Sequence, residues 1–147
     1  MPILEREGDL FDASVPALAH GCNCAGSMGR GIAVEFRERW PDMFKRYRQL
    51  CLRGEFNPGD LFAWTADDRV IFNLGTQRTW RTKATPDAVR QAIRRMVDYA
   101  SEHGIEAVAM PRIAAGLGGM DWRDVRAIPD RLVPDDLTVT LYYSASI

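Results

Sequence analysis

Two glycine-rich stretches hold the residue types most suited to chemistry in this sequence. The first is Gly21-Cys22-Asn23-Cys24-Ala25-Gly26-Ser27-Met28-Gly29-Arg30-Gly31, and helical spacing begins directly after it at Ile32, Ala33 and Phe36. Glycines there let backbone N–H groups approach a ligand closely, and the N-terminus of the following helix adds partial positive charge. Together they make an anion site suited to phosphate. The second stretch is Pro111-Arg112-Ile113-Ala114-Ala115-Gly116-Leu117-Gly118-Gly119, again leading toward a helix. Two such loops facing each other suit a diphosphate, and the competing reading is that they are only tight connectors. The first lacks the Gly-Lys-Ser/Thr ending of a Walker A loop, and the second lacks G-x-G-x-x-G spacing. An ordinary P-loop ATPase and a Rossmann oxidoreductase are therefore disfavoured.

Other constellations have a chemical and a structural reading side by side. A strand would place His20, Cys22 and Cys24 on one face, as a zinc cluster would need. A fourth ligand is not evident and the cysteine spacing is short, so buried thiols are preferred and no metal is expected. A cysteine nucleophile would need His20 or His103 as its base, and closeness along a strand does not make a catalytic pair. Asp121 and Asp124 fit an acid/base pair, but their place at a helix start favours capping. Arg37, Arg39, Lys45, Arg46 and Arg48 form a basic helical stretch broken by Glu35 and Glu38, which reads as a solvated face. Arg78, Trp80 and Arg81 make a basic-aromatic loop able to stack on a base or follow a DNA backbone.

The elements that must position these residues alternate between strand and helix. Short strands are expected over Pro2–Glu7, Val15–Gly21, Asp60–Thr65, Arg69–Leu74, Ile105–Pro111 and Leu137–Ser144. Helical spacing runs from Ile32 to a break at Pro41 and resumes over Asp42–Leu52. Thr85-Pro86-Asp87 opens a further helix that ends at His103 before Gly104, and Asp121 caps one over Trp122–Leu132. Gly75–Thr82 is expected as a polar loop. About six strands and four helices, mostly in βαβ order, predict an α/β sheet sandwiched by helices, with ligands at the carboxyl ends of the strands.

The 147 residues suit a single domain, and 46% hydrophobic residues suffice for a core. Lys+Arg 19 against Asp+Glu 20 leaves a net charge of −1, so bulk charge does not make this a nucleic-acid polycation. No apolar run approaches membrane-spanning length, and the opening MPILEREGDLF lacks the apolar core of a signal peptide. Three cysteines without an export signal suggest free thiols in the cytoplasm. Nothing argues for assembly, so a monomer without a membrane partner is expected.

Taken jointly, the motifs resemble the macrodomain, the ADP-ribose-binding module. The matching pieces are Gly8-Asp9-Leu10-Phe11, Asn23 ahead of Met28-Gly29-Arg30-Gly31-Ile32-Ala33, and Pro111-Arg112-Ile113 leading to Gly116-Leu117-Gly118-Gly119-Met120-Asp121-Trp122. The resemblance extends from Ile3 to Tyr143. It is nearest the branch that holds the terminal ADP-ribose protein glycohydrolase and the DarG antitoxin, and Asn73-Leu74-Gly75-Thr76-Gln77-Arg78-Thr79-Trp80-Arg81 is similar to the DarG side. It implies a central mixed sheet of about six strands flanked by helices on both faces. It also implies that Asp9 accepts from the adenine amino group beside the Leu10 backbone. Met28, Gly29, Gly31, Ile32 and Ala33 would cradle one phosphate. Ile113, Ala114, Ala115, Gly116, Leu117 and Gly118 would wrap the other phosphate and the distal ribose, with Asn23 and Thr76 nearby.

Two departures bear on the chemistry. In this branch a lysine usually follows the threonine of the Thr76 loop, and here that position is Gln77; an aspartate of the second loop is replaced by Gly118. Glutamine cannot form a Schiff base with C1″ of the ribose. Lys83 lies further along the same stretch. The expected function is removal of ADP-ribose from a modified macromolecule, linked to thymidine in DNA or to Glu/Asp in protein. A water oriented by Asn23, Gln77 or the ligand's own phosphate would attack, and no cofactor is expected. The alternatives are a reader that binds ADP-ribose without cleaving it, and an O-acetyl-ADP-ribose deacetylase.

Overall fold

The computed structural model describes residues 3–112 and 132–143. Their order is β1 (Ile3–Glu7), a 3-10 turn at Leu10–Asp12, β2 (Ala17–Asn23), α1 (Ile32–Arg39), α2 (Pro41–Leu52), β3 (Leu61–Thr65), β4 (Val70–Gln77), α3 (Pro86–Glu102), β5 (Ala107–Pro111) and β6 (Thr138–Tyr143). The strands form one sheet in the order β1-β6-β5-β2-β4-β3. All neighbours are parallel except β3 with β4. The mixed α/β architecture is the one the sequence implies.

Side-chain alternation divides the core between the two faces of the sheet. Leu18, Ile71 and Ala109 turn toward α1 and α2, against Phe36, Met43 and Tyr47. Ala17, Ala19, Phe72 and Val108 turn the other way, against Val89, Ile93 and Met96 of α3. Being covered on both faces, β4 reads as a nearly continuous apolar run rather than an alternating one. α3 starts as its sequence predicts: the Thr85 hydroxyl accepts from Ala88 N at 3.2 Å and Pro86 occupies the first turn.

Several boundaries differ from expectation: β3, β4 and β6 start one residue later than expected, β5 starts at Ala107 rather than Ile105, and the changes at β2 and at the end of β4 bear on the site. β2 starts at Ala17 rather than Val15 and continues to Asn23, past Gly21. β4 continues through Gly75, Thr76 and Gln77, where a loop is expected. The reason is pairing on both sides: β2 flanks β4 on one edge, and on the other Gly59 N donates to Gly75 O at 2.7 Å and Gly75 N donates to Asp60 O at 2.8 Å. Tertiary pairing overrides the loop signal of Gly-Thr-Gln. The expected helix over Trp122–Leu132 lies, apart from Leu132, outside the described residues, as do its Asp121 and Asp124, the loop from Ile113 to Gly119, and Ser144.

One fully buried polar cluster sits between β2, β4 and α1. The His20 ring stacks on Phe36 with centroids 3.8 Å apart, and its Nε2 is 2.6 Å from Asn73 Oδ1. Asn73 Nδ2 donates to Phe62 O at 3.1 Å, which fixes the amide orientation and makes Nε2 of His20 the protonated nitrogen. Burial pulls the His20 pKa from 6.5 down to about 4, and the Asn73 bond only partly opposes that. In the unfolded chain His20 takes up its proton near pH 6.5, and in the folded one only near 4. This contribution to stability is therefore complete above pH 6.5 and is lost as pH falls toward 4. Urea unfolding at pH 7 and at pH 4 is expected to differ by about 3 kcal/mol more in the wild type than in His20→Gln. Equal pH dependence in the two proteins would contradict this account.

Candidate functional site

The register of β2 on β4 brings two sequence-distant amides together. The strands run in step from Ala17 opposite Val70 to Cys22 opposite Gly75, and then Asn23 lies opposite Gln77. Thr76 is the extra residue of this bulge. It is buried, and its hydroxyl donates to Cys22 O at 3.3 Å. Such irregularities re-aim side chains at strand ends. Asn23 and Gln77 line one cavity at the carboxyl edge of the sheet, while Thr76 supports the bulge and is not among the lining residues. The cavity encloses about 210 Å³, several water volumes.

Asn23 is held by its own loop. Its Oδ1 accepts from Ala25 N at 3.0 Å and lies 2.9 Å from the Tyr47 hydroxyl, and its Nδ2 donates to Ser27 O at 2.8 Å. Tyr47, fully buried on α2, also reaches Asn23 O at 2.7 Å. Burial and the neighbouring thiols raise the Tyr47 pKa, so the phenol stays protonated and donates. With Oδ1 engaged, the group that Asn23 can offer a ligand is the second Nδ2 hydrogen. It suits an acceptor such as a ribose hydroxyl, and it cannot serve as a base.

Gln77 is committed in a comparable way. Its Nε2 donates to Thr79 O at 3.0 Å and to Thr82 O at 2.8 Å, spending both amide hydrogens on the turn that carries Trp80 and Arg81. Its Oε1 is 3.5 Å from the Thr76 hydroxyl, a long contact. Gln77 therefore holds the turn at the rim of the cavity, and any direct part in orienting water falls to Oε1. Arg78 points elsewhere: its guanidinium donates to Asn57 Oδ1 at 3.0 Å. Beside Trp80 stand instead Arg81 and Arg30, with guanidinium carbons 4.7 and 4.5 Å from the ring centroid. Lys83 is exposed and is not among the lining residues.

The loop before α1 has the form expected of an anion site. Met28, Gly29 and Ala33 line the cavity of Asn23 and Gln77. Gly31 adopts φ 60, a conformation that favours glycine, and no side chain caps the helix that follows. Val34 N donates to Gly31 O at 3.2 Å, and the N–H groups ahead of it, at Ile32 and Ala33, are the ones that suit an anion. On the other side of this helix start lies a second cavity, lined by Asp9, Leu10, Ile32 and the rings of Phe11, Tyr142 and Tyr143. Asp9 caps the 3-10 turn, its Oδ1 accepting from Phe11 N at 2.9 Å, which leaves Oδ2 for an amino group. The start of α1 therefore contributes Ile32 to a cavity walled by aromatic rings and Ala33 to the cavity that holds the Asn23 and Gln77 amides.

The structure does not favour the cysteine readings. Cys22 Sγ lies 3.5 Å from His20 Nε2, but burial pushes the Cys22 thiol well above its usual pKa while it lowers that of His20. Both groups are neutral near pH 7, the opposite of a thiolate–imidazolium pair. Burial, then Cys51, pushes Cys24 up to about 12. Among the described residues no group of three or more His, Cys, Asp or Glu is arranged to hold a metal ion. No helix among them is long and apolar enough to cross a membrane.

Of the site residues expected from sequence, Asn23, Gln77, Met28, Gly29 and Ala33 meet in one cavity; Asp9, Leu10 and Ile32 meet in the other; Gly31 lies at the helix start between them. Ile113, Ala114, Ala115, Gly116, Leu117 and Gly118 lie outside the described residues. Sequence reasoning missed Tyr47, Tyr142 and the pairing of Arg30 with Trp80. Each depends on a contact between segments far apart in the chain, which no local spacing reports.

Comparison with known proteins agrees with this arrangement. The Macro domain family model matches residues 19–128. The chain is 35% identical over 122 residues to the DNA ADP-ribosyl glycohydrolase of Mycobacterium tuberculosis, covering 80% of this chain and 35% of that protein. It is 32% identical over 123 residues to the enzyme of the same name from Thermus aquaticus, covering 81% of this chain and 34% of that protein. The chain thus spans about a third of the length of these curated relatives. The solved macrodomain of Mycobacterium tuberculosis DarG superposes with a TM-score of 0.87 at 32% identity, covering 97% of this chain and 98% of that one. A six-stranded mixed sheet, a glycine loop opening α1 and paired cavities at the strand ends all accord with that match: the chain belongs to the macro domain family.

Proposed function

We propose that this protein hydrolyses ADP-ribose from modified macromolecules, linked to thymidine in DNA or to Glu/Asp in protein, with water as the attacking group. The observation that carries the reading is the pair of cavities on either side of the start of α1. In this reading adenine would occupy the cavity that Phe11 and Tyr142 line, with its amino group toward Asp9. The diphosphate would then cross the Gly29–Gly31 loop and the distal ribose would reach Asn23, both Gly29 and Asn23 lining the other cavity. The names of the mycobacterial and Thermus relatives support ADP-ribosyl hydrolysis, and they favour DNA as the carrier.

Heterolysis at C1″ develops positive charge on the ribose, and positioning supplies much of the acceleration. The free Nδ2 hydrogen of Asn23 fixes a ribose oxygen, while the loop that Tyr47 anchors keeps that amide in place. Among the described lining residues there is no carboxylate or lysine, so turnover is expected to be slow. The same observation favours the second reading, a binder that does not cleave.

Release of free ADP-ribose from a thymidine-modified single-stranded oligonucleotide and from a glutamate-modified protein separates the two. Asn23→Ala is expected to slow release at least about tenfold, the loss of one positioned hydrogen bond. Tight ADP-ribose binding without release from either substrate would establish the binder instead.

A further inference from the structure

Among the described residues that line the Asn23–Gln77 cavity, Arg30 is the one with a charged side chain. Its guanidinium carbon sits 4.5 Å from the centroid of Trp80, which lines the same cavity and is 43% exposed. None of the described carboxylates is within ion-pair distance of it. Among the described residues the cation is thus held by an aromatic face and paired with no carboxylate. In the hydrolase reading the backbone N–H groups at the start of α1 take a phosphate of the ligand, so the guanidinium is left for a different negative charge.

The reaction at C1″ generates one. When the glycosidic bond breaks, its electron pair leaves with the departing group. That group is a carboxylate in the protein-linked substrate. In thymidine it is the imide nitrogen, since the other ring nitrogen already carries deoxyribose. Water then bonds to C1″, and the proton it sheds ends on the departing group or in solvent. Both leaving groups are anions at the moment of cleavage, and the imide is the more basic of the two.

Building on the hydrolase reading above, we propose that Arg30 is a catalytic residue that contacts the leaving group and stabilises its developing negative charge, with Trp80 positioning the guanidinium. A planar fork with several N–H donors matches both a carboxylate and the edge of an imide. The benefit is larger for the poorer leaving group, because more charge is localised there in the transition state.

The test uses wild type, Arg30→Ala and Arg30→Lys on both substrates, with free ADP-ribose affinity and thermal melting measured on each. Arg30→Ala is expected to lower kcat about 100-fold on the thymidine-linked oligonucleotide but less than about tenfold on the glutamate-linked protein. Its Kd for free ADP-ribose is expected to stay within about threefold of wild type. Arg30→Lys is expected to recover about tenfold on the oligonucleotide, since the charge is kept and the fork is lost. Equal losses on both substrates would overturn the proposal, as would a loss matched by weaker ADP-ribose binding, which would make Arg30 a phosphate clamp. If wild type releases nothing from either substrate, the hydrolase reading fails and this inference with it. If wild type is active and the variants do not discriminate, only this inference fails.

Discussion

Valine at position 29 is expected to leave the protein folded and to remove ADP-ribose binding. Among the described residues, a Cβ placed on Gly29 meets only the Ser27 hydroxyl, at 3.6 Å, an ordinary contact. The backbone there is also not in the left-handed region that would demand glycine. The fold itself therefore does not require glycine at this place. Gly29 lines the cavity, however, and a branched side chain would occupy the space where a phosphate must approach the backbone. An increase in Kd of at least about 100-fold is expected, comparable to losing several charge-assisted hydrogen bonds at once. Calorimetric titration with ADP-ribose and a thermal melt check both halves. Unchanged affinity would mean that the phosphates do not seat on Gly29, and the diphosphate path described above would be wrong.

Alanine at position 75 is expected to do the reverse and damage the fold. The added Cβ would lie 2.7 Å from Asn57 O and 3.3 Å from both Asp60 O and Cys24 Sγ. The closest atoms are backbone, and they cannot swing away. The Asn57–Asp60 segment is fastened from two directions. It pairs with Gly75 through two backbone hydrogen bonds, and the Asp60 carboxylate lies 2.8 Å from the Arg95 guanidinium. Relief of the clash would break those bonds and displace Asn57 from Arg78, whose backbone carbonyl also accepts from Cys24 N. A cost of about 3 kcal/mol is expected, the upper range for overpacking a well-packed interior. Urea denaturation of Gly75→Ala measures it, and a change below about 0.5 kcal/mol would show that the segment yields easily. The two glycines are thus expected to matter for opposite reasons, Gly29 for the ligand and Gly75 for the chain.

Much of the framework was legible because local rules and tertiary structure agree. Thr85-Pro86-Asp87 opens α3 as its cap chemistry requires, and Pro41 divides α1 from α2. The central strands β2, β4 and β5 were legible as apolar runs, since burial on both faces of a parallel sheet leaves that mark on composition, whereas β1 at the edge buries only Ile3. The glycine loop before Ile32 was legible too, because the conformation of Gly31 and the uncapped helix start are local properties. The strand character of Gly75–Gln77 was not, because its cause is pairing with β2 and the Asn57–Asp60 segment, and neither adjoins it in sequence.

For the site, the sequence by itself determined which residue types were present: neutral amides at 23 and 77, a glycine cradle, an aspartate after the first strand, and no lysine at position 77. What those groups have left to offer was decided only by the tertiary structure. Asn23 Oδ1 is engaged by Ala25 N and faces the Tyr47 hydroxyl, and both Gln77 amide hydrogens go to Thr79 and Thr82. Arg30, rather than Arg78, stands with Arg81 over Trp80. Donor and acceptor capacity is finite for each side chain, and what the fold uses is no longer available to a substrate. Residue type is written in the chain, whereas the remaining valence of a side chain exists only once its neighbours are in place.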